Sequence, residues 1–214
     1  MNLTPRYFVF DLDGTLFDTS EDIANSVNFA LNKYGIAIHE LATIVSFIGN
    51  GSLNLIRRSV GEQGKDRVNE IHQCFLDHYF DHCTNATLPY PGVLAFLQGN
   101  HRASILTNKP NAPTRKILAH FGLSNRFESV FCGDTAPVRK PNPEGLIEIL
   151  RLADVAPADA WMIGDDLPDI SAAQAARVPS FALLGGFGKR EALLAANPSM
   201  TADTFADFAR LVLS

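Results

Sequence analysis

The sequence predicts an α/β fold: a Rossmann-like parallel sheet core with an inserted small α-helical unit. Three observations carry that expectation. The chain opens on a strand-like apolar run, "YFVF" at 7–10. From Ala103 onward, short apolar runs alternate with helix-period segments, the rhythm of a parallel sheet with helices on both faces. Between these regions, residues 19–87 show helical periodicity and little strand signal.

The elements follow in order. "YFVF" gives the first strand. A helix runs from Ser20 or Glu21 to Tyr34 and stops at Gly35, a residue suited to the left-handed turn past a helix end. A second helix follows "GNG" at 49–51. A third spans about 65–83, with Val68, Ile71, Phe75 and Tyr79 on one face. "LPYPG" at 88–92 returns the chain to the sheet. Strands are then expected at "ASILT" (103–107), "SVFCG" (129–133), "AWMIG" (160–164) and "SFALL" (180–184). Helices are expected at "NAPTRKILAHFGL", "PEGLIEILRLA" and "PDISAAQAARV". The core therefore takes 1–18 and 88–214, and the helical unit takes 19–87.

Composition narrows the function classes. The 214 residues are 46% hydrophobic and 19% charged, with a net charge of −5. No basic run tracks a phosphate backbone, which disfavours nucleic-acid binding. No apolar run approaches the roughly 18 residues of a membrane span. "FVF" is too short for the apolar core of a secretory signal. Three cysteines, an odd count, give no disulfide framework. A cytoplasmic setting is the expectation.

The informative residues stand at strand ends. Asp11 and Asp13 follow the first strand. Residues two apart in an extended chain point to one side. Thr107, Asn108 and Lys109 follow the second core strand, and Asp165 and Asp166 follow "AWMIG". Asp169 comes one helical turn later, and Lys140 precedes the helix that starts near Pro143. Ligands of open parallel sheets bind outside these strand ends. Several carboxylates at one rim call for a cation, and oxygen donors suit Mg²⁺. A hydroxyl, an amide and an ammonium beside that cation suit an anion, of which phosphate is the natural candidate. Two like unit charges at 4 Å repel by about 4 kcal/mol at an effective dielectric of 20. Mg²⁺ and Lys140 would offset that repulsion if a carboxylate attacked a phosphate. Carboxylates form acyl-phosphates as nucleophiles, and a second acid can serve the leaving oxygen and then water.

In this order, "DLDGTLFDT", "LTNK", "RKPNPE" and "GDDLPD" resemble the four motifs of the haloacid dehalogenase superfamily. The resemblance spans essentially the whole chain, and the helical insertion is similar to that superfamily's small α-helical cap. It implies that Asp11 is the nucleophile and Asp13 the general acid/base, whose backbone carbonyl also meets Mg²⁺. It implies that Thr107 and Lys140 hold the phosphoryl oxygens with Asn108 near them. Asp165 is implied as a metal ligand, and Asp169 as support for the metal shell or for Lys140. An acid at position 13 implies phosphoryl transfer rather than dehalogenation. "IGNGSLNLIRRS", "PYPGV", "LTNKP" and "GDDLPDI" are similar to bacterial phosphoglycolate phosphatases. That group implies a cap turn at Gly49, Asn50 and Gly51 followed by a helix with an arginine near Arg58, and an arginine there could grip a substrate anion bidentately. Asp166 departs from the pattern, since relatives commonly carry Ser there.

The implied activity is Mg²⁺-dependent hydrolysis of a small phosphorylated metabolite by a monomer or homodimer, with phosphoglycolate the leading substrate. Pyrophosphatase, nucleotidase and sugar-phosphate mutase activities stay open, as does a non-enzymatic phosphate-binding role. Blander readings stand beside these. Thr107 and Asn108 suit a helix cap, and Asp169 suits a first-turn acid that complements the helix dipole. Arg57 and Arg58 suit solvated helix charges. Cys74, His78 and His82 recur every four residues, a stripe that could take zinc but that borders an apolar face and reads better as packing.

Overall fold

The computed structural model describes residues 7–136 and 138–213. The expected core bounds at 1 and 214 lie outside them. Strand β1 (Tyr7–Phe10) is buried at all four positions, as a strand covered on both faces must be. Its side chains alternate. Phe8 and Phe10 face one layer with Phe96, Phe205 and Phe208, while Tyr7 and Val9 face another with Leu146, Ile149 and Met162. Burying each such apolar side chain stabilises the fold by about 1.5–3 kcal/mol.

After β1 come β2 (Phe17–Asp18), α1 (Ser20–Lys33), α2 (Leu41–Val45), α3 (Ser52–Val60), α4 (Val68–His82) and β3 (Leu88–Pro89). The remainder is α5 (Val93–Gln98), β4 (Ala103–Leu106), α6 (Asn111–His120), β5 (Val130–Phe131), α7 (Glu144–Ala153), β6 (Ala160–Gly164), α8 (Leu167–Ala175), β7 (Ser180–Leu183), α9 (Arg190–Ala195), β8 (Met200–Ala202) and α10 (Phe205–Leu213). Six strands form one sheet in the order β5-β4-β1-β6-β7-β8, and every pairing in it is parallel. β1 lies between β4 and β6, with Phe8 opposite both Ala103 and Trp161.

The four helices α1–α4 sit between β2 and β3, which pair antiparallel as the two strands that lead out and back. α1 packs on α4 and α2, and α3 packs on α4. Glu21 and Asp22 occupy the first turn of α1 and Lys33 its last, matching the helix dipole. Gly35 follows at φ 71°. The buried Asp22 carboxylate accepts from the Ala86 and Thr87 amides and from Thr87 Oγ1, so the outgoing helix is tied to the returning chain.

Two expectations need correction in detail. The helix expected from 65 begins with a 3-10 turn at Lys65–Arg67, and α4 proper starts at Val68. The strand expected at 129–133 is only Val130–Phe131, because the chain turns at Gly133 and Thr135 back onto Lys109 and Cys132. The stripe of Cys74, His78 and His82 agrees with the packing reading. His78 Nδ1 meets Ser26 Oγ at 3.0 Å and its ring stacks on Phe29, while His82 pairs with Asn85. Among the described residues, no helix is long and apolar enough to cross a membrane.

Candidate active site

Chain reversal at the end of β1 sets the site. The Asp11 amide donates to the Ile163 carbonyl at 2.9 Å, so sheet pairing continues one residue past β1. The Leu12 carbonyl then accepts from the amides of Leu16 and Phe17, and Asp13 bridges to Phe17. Gly14 takes φ +79°, where a Cβ would stand 2.1 Å from Asp165 Oδ2. Only glycine meets both demands. Asp11 and Asp13 both line one cleft, although the chain turns at Leu12 instead of staying extended as the i, i+2 argument expects.

Lys140 lies almost wholly buried beneath that cleft. Its Nζ donates to Asp169 Oδ1 at 2.6 Å and stands 2.9 Å from Asp11 Oδ1. The second contact is an ion pair by distance but is not aligned as a hydrogen bond, so Asp11 Oδ1 is a buried oxygen without a hydrogen-bond partner among the described residues. Burial works against the Lys140 ammonium, yet Asp11 and Asp169 outweigh it and raise its pKa. Burial likewise raises Asp169, with Lys140 pulling the other way.

Asp165 completes the acidic group. Its Oδ1 accepts from Thr15 Oγ1 at 2.6 Å and its Oδ2 from the Phe187 amide at 2.8 Å. Burial, then Asp11 and Asp169, hold its pKa well above the usual carboxylate range. Carboxylate oxygens of Asp11, Asp165 and Asp169 come within 4.8 Å of one another. Three buried carboxylates at one point fit a hard divalent cation, whose charge would offset the burial and the neighbouring negative charges that raise Asp165. Asp169 has both oxygens engaged: Oδ1 takes Lys140, and Oδ2 takes the Asp166 amide in the capping box of α8.

The Asp13 carboxylate stands apart from that group. Thr19 Oγ1 and Lys109 Nζ both donate to its Oδ1 at 2.7 Å. Lys109 also donates to Tyr79 Oη at 2.5 Å. Neither Lys109 nor Tyr79 was among the expected site residues. Lys109 was visible as the last residue of "LTNK", whereas Tyr79 read as one more apolar position on its helix. Thr107, from the end of β4, is buried and lines the cleft. Asn108 Nδ2 donates to the carbonyls of Gly49 and Lys140 at 2.9 and 3.0 Å.

The helices α3 and α4 supply the opposite wall, with Ile48, Gly49, Gly51, Ser52, Leu55, Phe75 and Tyr79. The cleft encloses about 600 Å³ including its mouth. Gly49 and Gly51 take φ +109° and +82°, and Gly49 presses on Asp166, whose Oδ2 would lie 2.2 Å from a Cβ there. Asn50 and Arg58 are not among the residues that line the cleft, although the Arg58 charge reaches Asp166, which does. Helix α3 buries Ser52, Leu55, Ile56, Ser59 and Val60, an i, i+3, i+4, i+7, i+8 stripe, which leaves Arg58 on the exposed face. Asp166 lines the cleft and its Oδ1 accepts from the Leu167 amide, so it caps α8 and lies outside the acidic cluster.

A family model described as haloacid dehalogenase-like hydrolase matches residues 8–183. The chain is 34% identical to a phosphoglycolate phosphatase of Psychrobacter arcticus over 97% of this chain and 94% of that one. It is 39% identical to a phosphoglycolate phosphatase of Cereibacter sphaeroides over 78% and 80%. A Haemophilus somnus protein described as a predicted phosphoglycolate phosphatase superposes with a TM-score of 0.91 at 26% identity, covering 97% and 98% of the two chains. The likeness to CbbY of Rhodobacter sphaeroides, solved with phosphate, is one of fold: 20% identity and a TM-score of 0.80 over 95% and 96%. With all four motifs at one rim of the sheet and the family model spanning that rim, the chain belongs to the haloacid dehalogenase-like hydrolases.

Proposed function

We propose that this hydrolase is a Mg²⁺-dependent phosphatase that acts on a small phosphate monoester through an aspartyl-phosphate on Asp11. Phosphoglycolate is the leading substrate. The observation that carries the reading is the environment of Asp11: a buried carboxylate oxygen without a hydrogen bond, at the cleft, 2.9 Å from the Lys140 ammonium. The names of the curated relatives support the substrate.

In this reading a carboxylate oxygen of Asp11 attacks phosphorus and the bond to the leaving oxygen breaks. Asp13 gives that oxygen its proton, then takes one from the water that hydrolyses the acyl-phosphate. Lys140 and Thr107 hold phosphoryl oxygens, with Asn108 beside them. Asp11, Asp165 and the backbone carbonyl of Asp13 would hold Mg²⁺, with Asp169 keeping Lys140 and the surrounding shell in place. Bound there, Mg²⁺ offsets the negative charge that Asp11 and the phosphoryl group bring together. Residues 19–87 act as a cap that closes the cleft to bulk water, and the Gly49–Gly51 turn faces the substrate.

The deciding experiment is a panel of phosphorylated metabolites assayed with and without Mg²⁺. Metal-dependent phosphate release, fastest with phosphoglycolate, is the expected result. A panel without turnover would leave the chain a binding protein on this fold.

A further inference from the structure

Asp13 is held in an asymmetric way. Thr19 Oγ1 and Lys109 Nζ both donate to one oxygen, Oδ1, at 2.7 Å. Among the described residues no hydrogen bond reaches Oδ2, and Asp13 lines the cleft. A carboxylate gripped on one oxygen by two donors cannot rotate freely, so the other oxygen faces a fixed direction. Charge-assisted bonds of this length are the strong ones.

Lys109 is itself fixed from the far side. It is 5% exposed, and its Nζ donates to Tyr79 Oη at 2.5 Å while lying 4.5 Å from that ring's centroid. Tyr79 belongs to α4, in the helical insertion, and stacks on Phe75. Its burial, with Asp13's charge second, pushes the phenol well above its ordinary pKa, so it remains a neutral acceptor for the ammonium. A buried lysine needs such partners, and here they are the second acid and the opposite wall of the cleft.

We infer that Lys109, anchored by Tyr79, is the positioning residue that aims Asp13 Oδ2 at the leaving oxygen. The inference rests on the phosphatase reading above. It assigns Lys109 no contact with the phosphoryl group. In the step it serves, the Asp11 oxygen–phosphorus bond forms and the bond to the leaving oxygen breaks. The proton on Asp13 Oδ2 passes to that oxygen, and no further reactant is required.

The test uses the dependence of kcat/KM on the leaving group, because kcat/KM reports the step that expels it. An alkyl alkoxide needs a proton, whereas para-nitrophenolate leaves without one. The ratio of kcat/KM for an alkyl phosphate that the wild type turns over to that for para-nitrophenyl phosphate is measured with saturating Mg²⁺. Lys109→Met should lower this ratio about tenfold or more, the scale of a lost charge-assisted contact to a general acid. Lys109→Arg should restore part of the ratio, and Tyr79→Phe should lower it less than Lys109→Met does. A ratio within about threefold of wild type in Lys109→Met overturns the inference, because a merely structural lysine would slow both esters alike. If Lys109→Met does not fold, Tyr79→Phe carries the decision through the same ratio, where no change overturns. A wild type that releases phosphate from no ester at all sinks the phosphatase reading and the inference together. Equal losses in an active enzyme sink the inference alone.

Discussion

Lys140 Nζ and Asp169 Oδ1 stand 2.6 Å apart, each side chain 1% exposed. Removing one partner of such a pair costs about 3–5 kcal/mol. Lys140→Met should therefore destabilise the metal-free protein strongly at neutral pH. The pH dependence has a definite sign. The folded pKa of Asp169 is already raised by burial, and losing Lys140 raises it further. A carboxyl raised in the folded state adds stability below its unfolded value, near pH 4, and loses it as pH climbs through the folded value. The variant should thus approach wild type as pH falls from 7 towards 5. Urea midpoints across that range check it, and a constant gap would contradict the pairing.

Asp11→Asn should abolish turnover and leave the fold intact. The amide keeps the size of the carboxylate but is no nucleophile. Circular dichroism and phosphate release, with deamidation excluded by mass, test both halves.

Asp13→Asn should spare Mg²⁺ affinity better than Asp165→Asn. The first substitution keeps the backbone carbonyl, while the second removes a carboxylate from the three-acid cluster. Calorimetric titration of the two variants ranks them. In wild type, Mg²⁺ should also raise Tm more at pH 8 than at pH 5, because the raised carboxyl of Asp165 holds its proton in competition with the cation at the lower pH.

Gly49→Ala should cost about 1–3 kcal/mol, or roughly 2–10 °C in Tm. The new methyl meets Asp166 Oδ2 at 2.2 Å from a backbone at φ +109°. Shortening Asp166 to Ser, which can still cap α8, should recover part of the loss in the double variant. Additive losses would show that the two residues do not meet.

Arg58→Ala should leave the preference for phosphoglycolate over an uncharged phosphate ester within about twofold, since an exposed charge contributes little. The ratio of kcat/KM values decides. A selective loss would return Arg58 to substrate recognition.

Much of this was legible in the sequence. "YFVF" and "AWMIG" are apolar throughout, and both became central strands buried on two sides. The acids after them mark strand ends by breaking that run. Residues that owe their importance to tertiary placement were less legible. Tyr79 sits on an apolar helical stripe, and nothing local shows that its hydroxyl meets Lys109. Arg58 had the right spacing after a glycine turn, but the burial stripe of α3 turns it to solvent. The two-residue strands β2 and β3 and the short helices α2, α5 and α9 are too brief to carry a period. Their places are set by tertiary packing: β2 and β3 pair where the insertion leaves and rejoins the core, α2 packs on α1, Phe96 of α5 packs on β1, and Leu193 of α9 packs with Ile170 and Ala182.

The central place of β1 has a consequence for how the protein is made. Its partners β4 and β6 begin only at Ala103 and Ala160, so β1 leaves the ribosome long before its neighbours exist. Helices α1–α4 emerge next and contact mainly one another, and such local contacts form fast. The strand that carries Asp11 thus stays unpaired on one side until β6 has been synthesised. Stalling translation between residues 110 and 160 should leave nascent chains with structured helices and no cation response. The three-acid cluster cannot form before β6 has been made, because Asp165 and Asp169 follow β6 and must join Asp11 at the end of β1.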